Sequence, residues 1–225
     1  MVKTADVVVE NFREGVMERL GLSYEHLRTI NPKLTYAAIR GFGDERTGEG
    51  PMSDWPAFDI VAQAMGGFMS MTGSESLPTK AGPGIGDIIP GIMCAFGIVA
   101  AVRHSEKTGE GQFLDVGMYD SVIALCERMI YRYSFSDQIS RGEGNEHPLV
   151  CPFSIYEASD GWFAIACPLQ SQWETLMEKL DNPDLYDEVL FKTNESRVEN
   201  AKLLREKLSD WTSQHSKKEL SELLG

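Results

Sequence analysis

Two kinds of apolar pattern organise the chain. Short continuous runs, Val7-Val8-Val9 within Asp6–Glu10 and then Leu34–Ile39, suit strands covered on both faces. Between them, Gly15–Leu20 and Tyr24–Ile30 have helical spacing, with Ser23 as N-cap and Asn31-Pro32 as the stop. Strand, helix, strand over this distance predicts a parallel βαβ unit with a right-handed crossover. Ligands of such sheets bind beyond the carboxyl ends of the strands. Asn11, Phe12 and the loop after Ile39 therefore lie on the candidate functional edge.

The pattern continues with Asp59 as the candidate cap of a helix through Ile60, Val61, Ala64 and Met65, and with Gly66-Gly67 inside that helix or ending it. Ser74–Gly86 reads as a long loop. The run Ile88, Ile89, Ile92, Met93, Phe96, Ile98, Val99, Val102 predicts a buried helix ending near His104. Gln112–Met118 reads as a strand, and Tyr119 to about Phe135 as one helix with Asp120 as a structural cap. Phe153–Ala158 and Trp162–Cys167 flank Ser159-Asp160-Gly161, a β-hairpin signal. Gln172–Leu180, Ala201–Trp211 and Lys217–Leu224 are amphipathic helices by spacing.

Composition adds limits. At 225 residues, 42% hydrophobic and 24% charged, the chain can bury a core as one large or two small domains. A net charge of −13 argues against nucleic-acid and anionic-membrane partners, though not against a locally held anionic ligand. The run from Ile88 to Val102 falls short of a bilayer span. The four cysteines, Cys94, Cys126, Cys151 and Cys167, form no C-x-x-C pair and read as buried thiols in a reducing compartment. The four histidines lack metal-ligand spacing, so no metal is expected. The first residues have no apolar leader segment, and no internal repeat is present.

One residue stands out as candidate chemistry. Asp87 closes the Gly/Pro loop Ala81–Gly86 and opens the long apolar helix. That predicts an N-cap, with Pro90 in the first turn where its missing N–H costs little. Free amides and the macrodipole would favour the carboxylate as an anion. The flanking glycines would admit a substrate close to the backbone. A cap without chemistry is the competing reading. The second glycine-rich segment, Ser140–Pro148, reads as a surface loop or a mobile ligand loop.

Seven stretches in order resemble the family III CoA-transferases: Ala5–Phe12; Gly21-Leu22 through Ile30–Leu34; Ile39–Gly43; Ala62-Gln63-Ala64; Gly86-Asp87-Ile88; Lys107–Gln112; and Asp160-Gly161-Trp162. The resemblance thins after about Trp173. It implies an α/β fold: residues 1–135 as the central part of a Rossmann-like parallel-sheet, CoA-binding domain with a linker helix, and 136–225 as a smaller, incomplete α+β domain. It implies an enzyme that moves CoA from an acyl-CoA to a carboxylic acid acceptor, CoA being a substrate and no cofactor being tightly bound. Asp87 would be the nucleophile, passing through aspartyl anhydride and aspartyl-CoA thioester intermediates. Asn11, Phe12, Arg19, Ala57, Phe58 and Asp59 would contact CoA, Arg19 at a phosphate. Gly144 and His147 fall where the family has a loop covering the site. A basic residue common in the family is replaced here by Pro56.

The family's chains are nearly twice as long, so the resemblance implies a fragment lacking both terminal segments. The longer form would be an interlocked homodimer. Cytoplasm is the expected compartment, with mitochondrial and peroxisomal placement left open. Two alternatives stand beside the transferase: a non-catalytic truncated paralogue or subunit, and an α-methylacyl-CoA racemase-like isomerase. The second is disfavoured because racemases place His and Glu where this chain has Phe58 and Gln170.

Overall fold

The computed structural model describes residues 1–48, 50–180 and 189–225. The chain divides into two compact units, residues 1–142 and 143–225.

The first unit is built on a three-stranded parallel sheet. After a 3₁₀ turn at Val2–Thr4 come β1 (Val7–Glu10), α1 (Val16–Arg19), α2 (Tyr24–Ile30) and β2 (Thr35–Arg40). Ser23 caps α2 by accepting from the His26 N–H at 3.2 Å. Next come α3 (Asp59–Met65), α4 (Phe68–Met71) and a two-residue ladder of β3 (Gly73–Ser74) with β4 (Leu77–Pro78). The long helix α5 (Ile85–Thr108) leads to β5 (Phe113–Gly117), α6 (Met118–Leu125) and α7 (Glu127–Ser136). Strand order is β1-β2-β5, with Val7 opposite Thr35 and Tyr36 opposite Phe113.

Alternation along the central strand fills both faces, as a parallel sheet requires. Tyr36 and Ala38 face Met17, Leu27 and Leu34, where Tyr24, Tyr36 and Phe113 pack with ring centroids 5.3–5.9 Å apart. Ala37 faces Cys94 of α5 and Val116 of β5. Ala62, Met118, Val122 and Cys126 form a third cluster beside these.

Several expectations change. Asp87 is not the N-cap of α5: the helix starts at Ile85 after Gly84, so Asp87 is its third residue. Pro90 consequently lies beyond the first turn, where it removes the bond to the Gly86 carbonyl. Asp59 likewise opens α3 from inside, after Phe58. Gly67, at φ 87°, ends the first helical run and starts α4. The single helix expected over 119–135 is two, broken at Cys126 (φ −100°, ψ 25°), with neither Gly nor Pro to announce it. Helix α5 runs on to Thr108 and is long and apolar enough to cross a membrane by length and composition. It packs on β2, β5, α3 and α6, while Ile88, Ile92, Phe96 and Val99 form an exposed stripe.

The second unit pairs β6 (Phe153–Ala158) with β7 (Gly161–Ala166) as an antiparallel hairpin. Helices α8 (Gln170–Leu180), α9 (Asn194–Glu199), α10 (Ala201–Thr212) and α11 (Lys217–Leu224) complete it. The sequence reading missed α9, which a Thr193/Ser196 capping box begins. Tyr156, Ile165, Trp173, Leu176, Phe191, Leu204 and Leu208 make the core. Arg197 is fully buried there: its Nε donates to the Cys151 carbonyl at 2.7 Å and its guanidinium lies 4.7 Å from the Trp173 ring.

At the carboxyl edge of the sheet, the buried Arg40 guanidinium pairs with Glu10 at 3.2 Å and Asp44 at 2.9 Å. Arg40→Ala leaves the buried Glu10 carboxylate without its cation and Asp44 with Arg46 alone. Urea unfolding should register a loss of about 3–5 kcal/mol; an unchanged midpoint would show that the network is dispensable.

Candidate active site

A cavity of about 580 Å³ opens at the carboxyl ends of all three parallel strands. Its wall includes Asn11 and Phe12 after β1, Ile39 and Arg40 at the end of β2, and Met118 after β5. Asp87 and Pro90 of α5 and the segment Ser53–Phe58 complete it.

Two side chains fix the lip after β1. Glu10 uses one carboxylate oxygen for Arg40 and the other for the Phe12 N–H, at 2.7 Å, which turns the chain out of β1. The Asn11 side-chain amide donates to the Ile39 carbonyl at 2.6 Å, tying this lip to the neighbouring strand. Phe12 and Phe58 remain largely exposed, two aromatic faces at the rim.

Asp59 does not line the cavity; it buttresses the turn before Asp87. Its Oδ1 accepts from the Gly86 N–H at 2.8 Å, and both its oxygens accept from Gln63 Nε2 at 2.9 Å. Gly86 is required here, because a Cβ would fall 2.7 Å from the Asp59 carbonyl oxygen. The other amides of the helix start are also engaged: Ile85 N–H with Pro83 O, and Asp87 N–H with Gly84 O. The open first-turn amides anticipated from the sequence are therefore already used within the fold.

The electrostatics of Asp87 also run opposite to the sequence expectation. Asp87 is itself exposed to the cavity; partial desolvation there, and then the nearby Asp59 carboxylate, raise its pKa above the usual range. A carboxylate that binds its proton more tightly is a stronger nucleophile once ionised. Glu14, also in the wall, has Oε2 buried without a hydrogen-bond partner among the described residues; burial and then Glu45 raise its pKa.

The cavity thus brings together Asn11, Phe12, Ala57, Phe58 and Asp87, with Asp59 directly behind. Arg19 is exposed at the end of α1 and is not among the lining residues. Gly144 and His147 belong to the second unit. Gly144 lines a depression with Glu146, Lys202 and Arg205, while the His147 N–H donates to Phe153 O at 3.2 Å. Gln170 accepts from Arg197 at 3.0 Å in the same unit. The sequence reading gave no role to Gln63, Glu14 or Arg40. A glutamine inside the apolar run Ile60–Met65 was the available signal for the first of these.

The raised pKa of Asp87 makes a stability prediction. The fold disfavours its ionised form, so the penalty is full above the folded-state pKa and absent below the unfolded value of about 3.9. Asp87→Asn should raise Tm at neutral pH, and the gain should vanish as the pH falls below about 4. A Tm difference independent of pH would contradict this.

The whole chain, residues 1–225, matches CoA-transferase family III. It is 47% identical over 225 residues to a succinyl-CoA:mesaconate CoA-transferase of Haloarcula hispanica, covering 100% of this chain and 56% of that protein. It is 35% identical over 221 residues to a succinate–glutarate CoA-transferase of Agrobacterium fabrum, covering 98% and 54%. The crystal structure of a CAIB/BAIF family protein from Brucella suis superposes with a TM-score of 0.85 at 34% identity, covering 99% of this chain and 58% of that one. The chain thus spans little more than half the length of these relatives. On the full-length family match and the architecture it shares with these proteins, the chain belongs to CoA-transferase family III.

Proposed function

We propose that this chain carries the nucleophile for moving CoA from an acyl-CoA thioester to a carboxylic acid. The observation that carries the reading is Asp87: a carboxylate of raised basicity in a cavity at the carboxyl edge of a parallel sheet. The names of the relatives pair succinyl-CoA or succinate with a second dicarboxylic acid, mesaconate or glutarate. Dicarboxylates are accordingly the first acceptors to test.

In this reading an Asp87 oxygen attacks the thioester carbonyl. The C–S bond breaks, leaving a mixed anhydride and the CoA thiolate. The thiolate attacks the aspartyl carbonyl, releasing the donor acid and forming an aspartyl-CoA thioester. The acceptor carboxylate displaces the thiolate to form a second anhydride. The thiolate then attacks the acceptor acyl carbon, which yields the new acyl-CoA and regenerates Asp87. No net proton is needed, which suits a site whose central group is a carboxylate.

Asn11, Phe12, Ala57 and Phe58 border the path open to the thioester arm, and Arg19 offers an exposed guanidinium to a CoA phosphate. Because the amides of Ile85, Gly86 and Asp87 are engaged, charge on the thioester oxygen must be met by other groups. Phe58 has no titratable proton to exchange with a substrate carbon, which weighs against racemisation at that position.

The test is mass spectrometry after incubation with succinyl-CoA and other acyl-CoAs in hydroxylamine, which converts an aspartyl anhydride or thioester into a hydroxamate. The expected result is modification at Asp87 that disappears in Asp87→Asn. A chain that binds CoA yet acquires no modification at Asp87 would refute the assignment.

A further inference from the structure

We propose that Gln63 is a positioning residue for Asp87, joining the loop before α5 to the carboxylate that fixes the turn presenting the nucleophile. Gln63 is 0% exposed. Its Oε1 accepts from the Ala81 N–H at 2.8 Å, and its Nε2 donates to both oxygens of Asp59 at 2.9 Å. Asp59 Oδ1 in turn accepts from the Gly86 N–H at 2.8 Å. One amide therefore links α3 to both ends of the loop 81–86.

The orientation of the Gln63 amide follows from its neighbours. The Ala81 N–H can only donate, and an ionised Asp59 can only accept. Reversing the amide would set donor against donor and acceptor against acceptor. A hydrophobic residue of the same size would fill the space and lose the linkage, leaving the Ala81 N–H and Asp59 without this partner. Gly86 has no side chain to fix the turn by packing, and Pro90 removes a helical bond from its carbonyl. Asp59 is the side chain that holds the Gly86 amide, and Gln63 is the side chain that holds both Asp59 oxygens.

This arrangement predicts the outcome of a charge swap. Asp59→Asn puts an amide donor against Gln63 Nε2, and Gln63→Glu puts two carboxylates face to face. The pair D59N/Q63E restores the pattern of donors and acceptors. The amide introduced at position 59 accepts from the Gly86 N–H and donates to the carboxylate introduced at position 63. That carboxylate accepts from the Ala81 N–H as well.

The proposal rests on the reading of Asp87 as nucleophile for one of two measurements. The first, amide hydrogen exchange followed by NMR, is independent of it. Gln63→Met and Gln63→Glu should each speed exchange at Gly86 at least about tenfold, with Ala37 in the sheet unchanged, and the swap should return Gly86 to within about threefold of wild type. The second is the rate of hydroxamate trapping at Asp87. Each single variant should slow it at least about tenfold while the dissociation constant for CoA stays within about twofold, and the swap should recover most of the loss.

Gly86 protection that survives Gln63→Met, or a swap that recovers neither readout, would overturn the proposal. If a single variant does not fold, the swap decides. If wild type shows no trapping, the nucleophile reading fails by itself and exchange at Gly86 still judges Gln63.

Discussion

One buried guanidinium holds the functional edge of the sheet. Arg40 ends the central strand and binds Glu10 at the end of β1 and Asp44 in the loop after β2. Removing Arg40 leaves Glu10 a buried charge without a cation, whereas removing either carboxylate leaves Arg40 with the other. Its effects spread outward. Glu10 uses its second oxygen to turn the backbone at Phe12. Asp44 passes charge to Arg46, which reaches Glu18 of α1 and Glu25 of α2. The Asp44 N–H donates to Asp115 of β5 at 2.9 Å. All three strands and both crossover helices are thus tied through the edge where the cavity opens. The arrangement of Arg46 pushes the Glu25 pKa down to about 2. This partly exposed outer layer stays ionised at neutral pH, and solvent and salt moderate its strength.

Asp87 illustrates a conflict between stability and chemistry. An aspartate in the first turn of a helix is ordinarily favoured as an anion. Here the first-turn amides already have acceptors, and the neighbour is another carboxylate. The fold therefore holds this anion at a cost, which is a common property of reactive positions. Asp59 contributes to both sides: it fixes Gly86 and it opposes the ionisation of Asp87.

The sheet, its crossover helices and the hairpin were legible because they rest on periodicity and local punctuation. Val7–Val9 and Leu34–Ile39 announce strands, and Ser23 announces a cap by its chemistry; coverage on both faces holds for β2, whereas Val9 of the edge strand β1 is exposed. Asp87 stood out because glycines and an apolar run bracket it. Its neighbourhood was less legible, because Gln63 meets Ala81 across 18 residues of sequence and Asp59 meets Gly86 across 27. The capping rule misled at Asp87 and Asp59 for one reason: each helix begins a residue or two earlier, so the carboxylate bonds elsewhere or faces the cavity. The break at Cys126 has no compositional mark; Cys126 is buried there against Ala62, Met118 and Val122. The charges of Glu10 and Arg40 were visible singly, but their pairing depends on strand neighbours that no local pattern specifies.

The spacing of these contacts also sets an order in time. The bond from Gly86 to Asp59 closes a separation of 27 residues, whereas the one from Asp44 to Asp115 closes 71. The longer closure costs about 0.9 kcal/mol more chain entropy before any contact rewards it. As the polypeptide leaves the ribosome, every residue of the turn around Asp87 is available before the third strand has been synthesised. The turn that carries Asp87 can thus form first, and the sheet edge that walls the cavity closes afterwards.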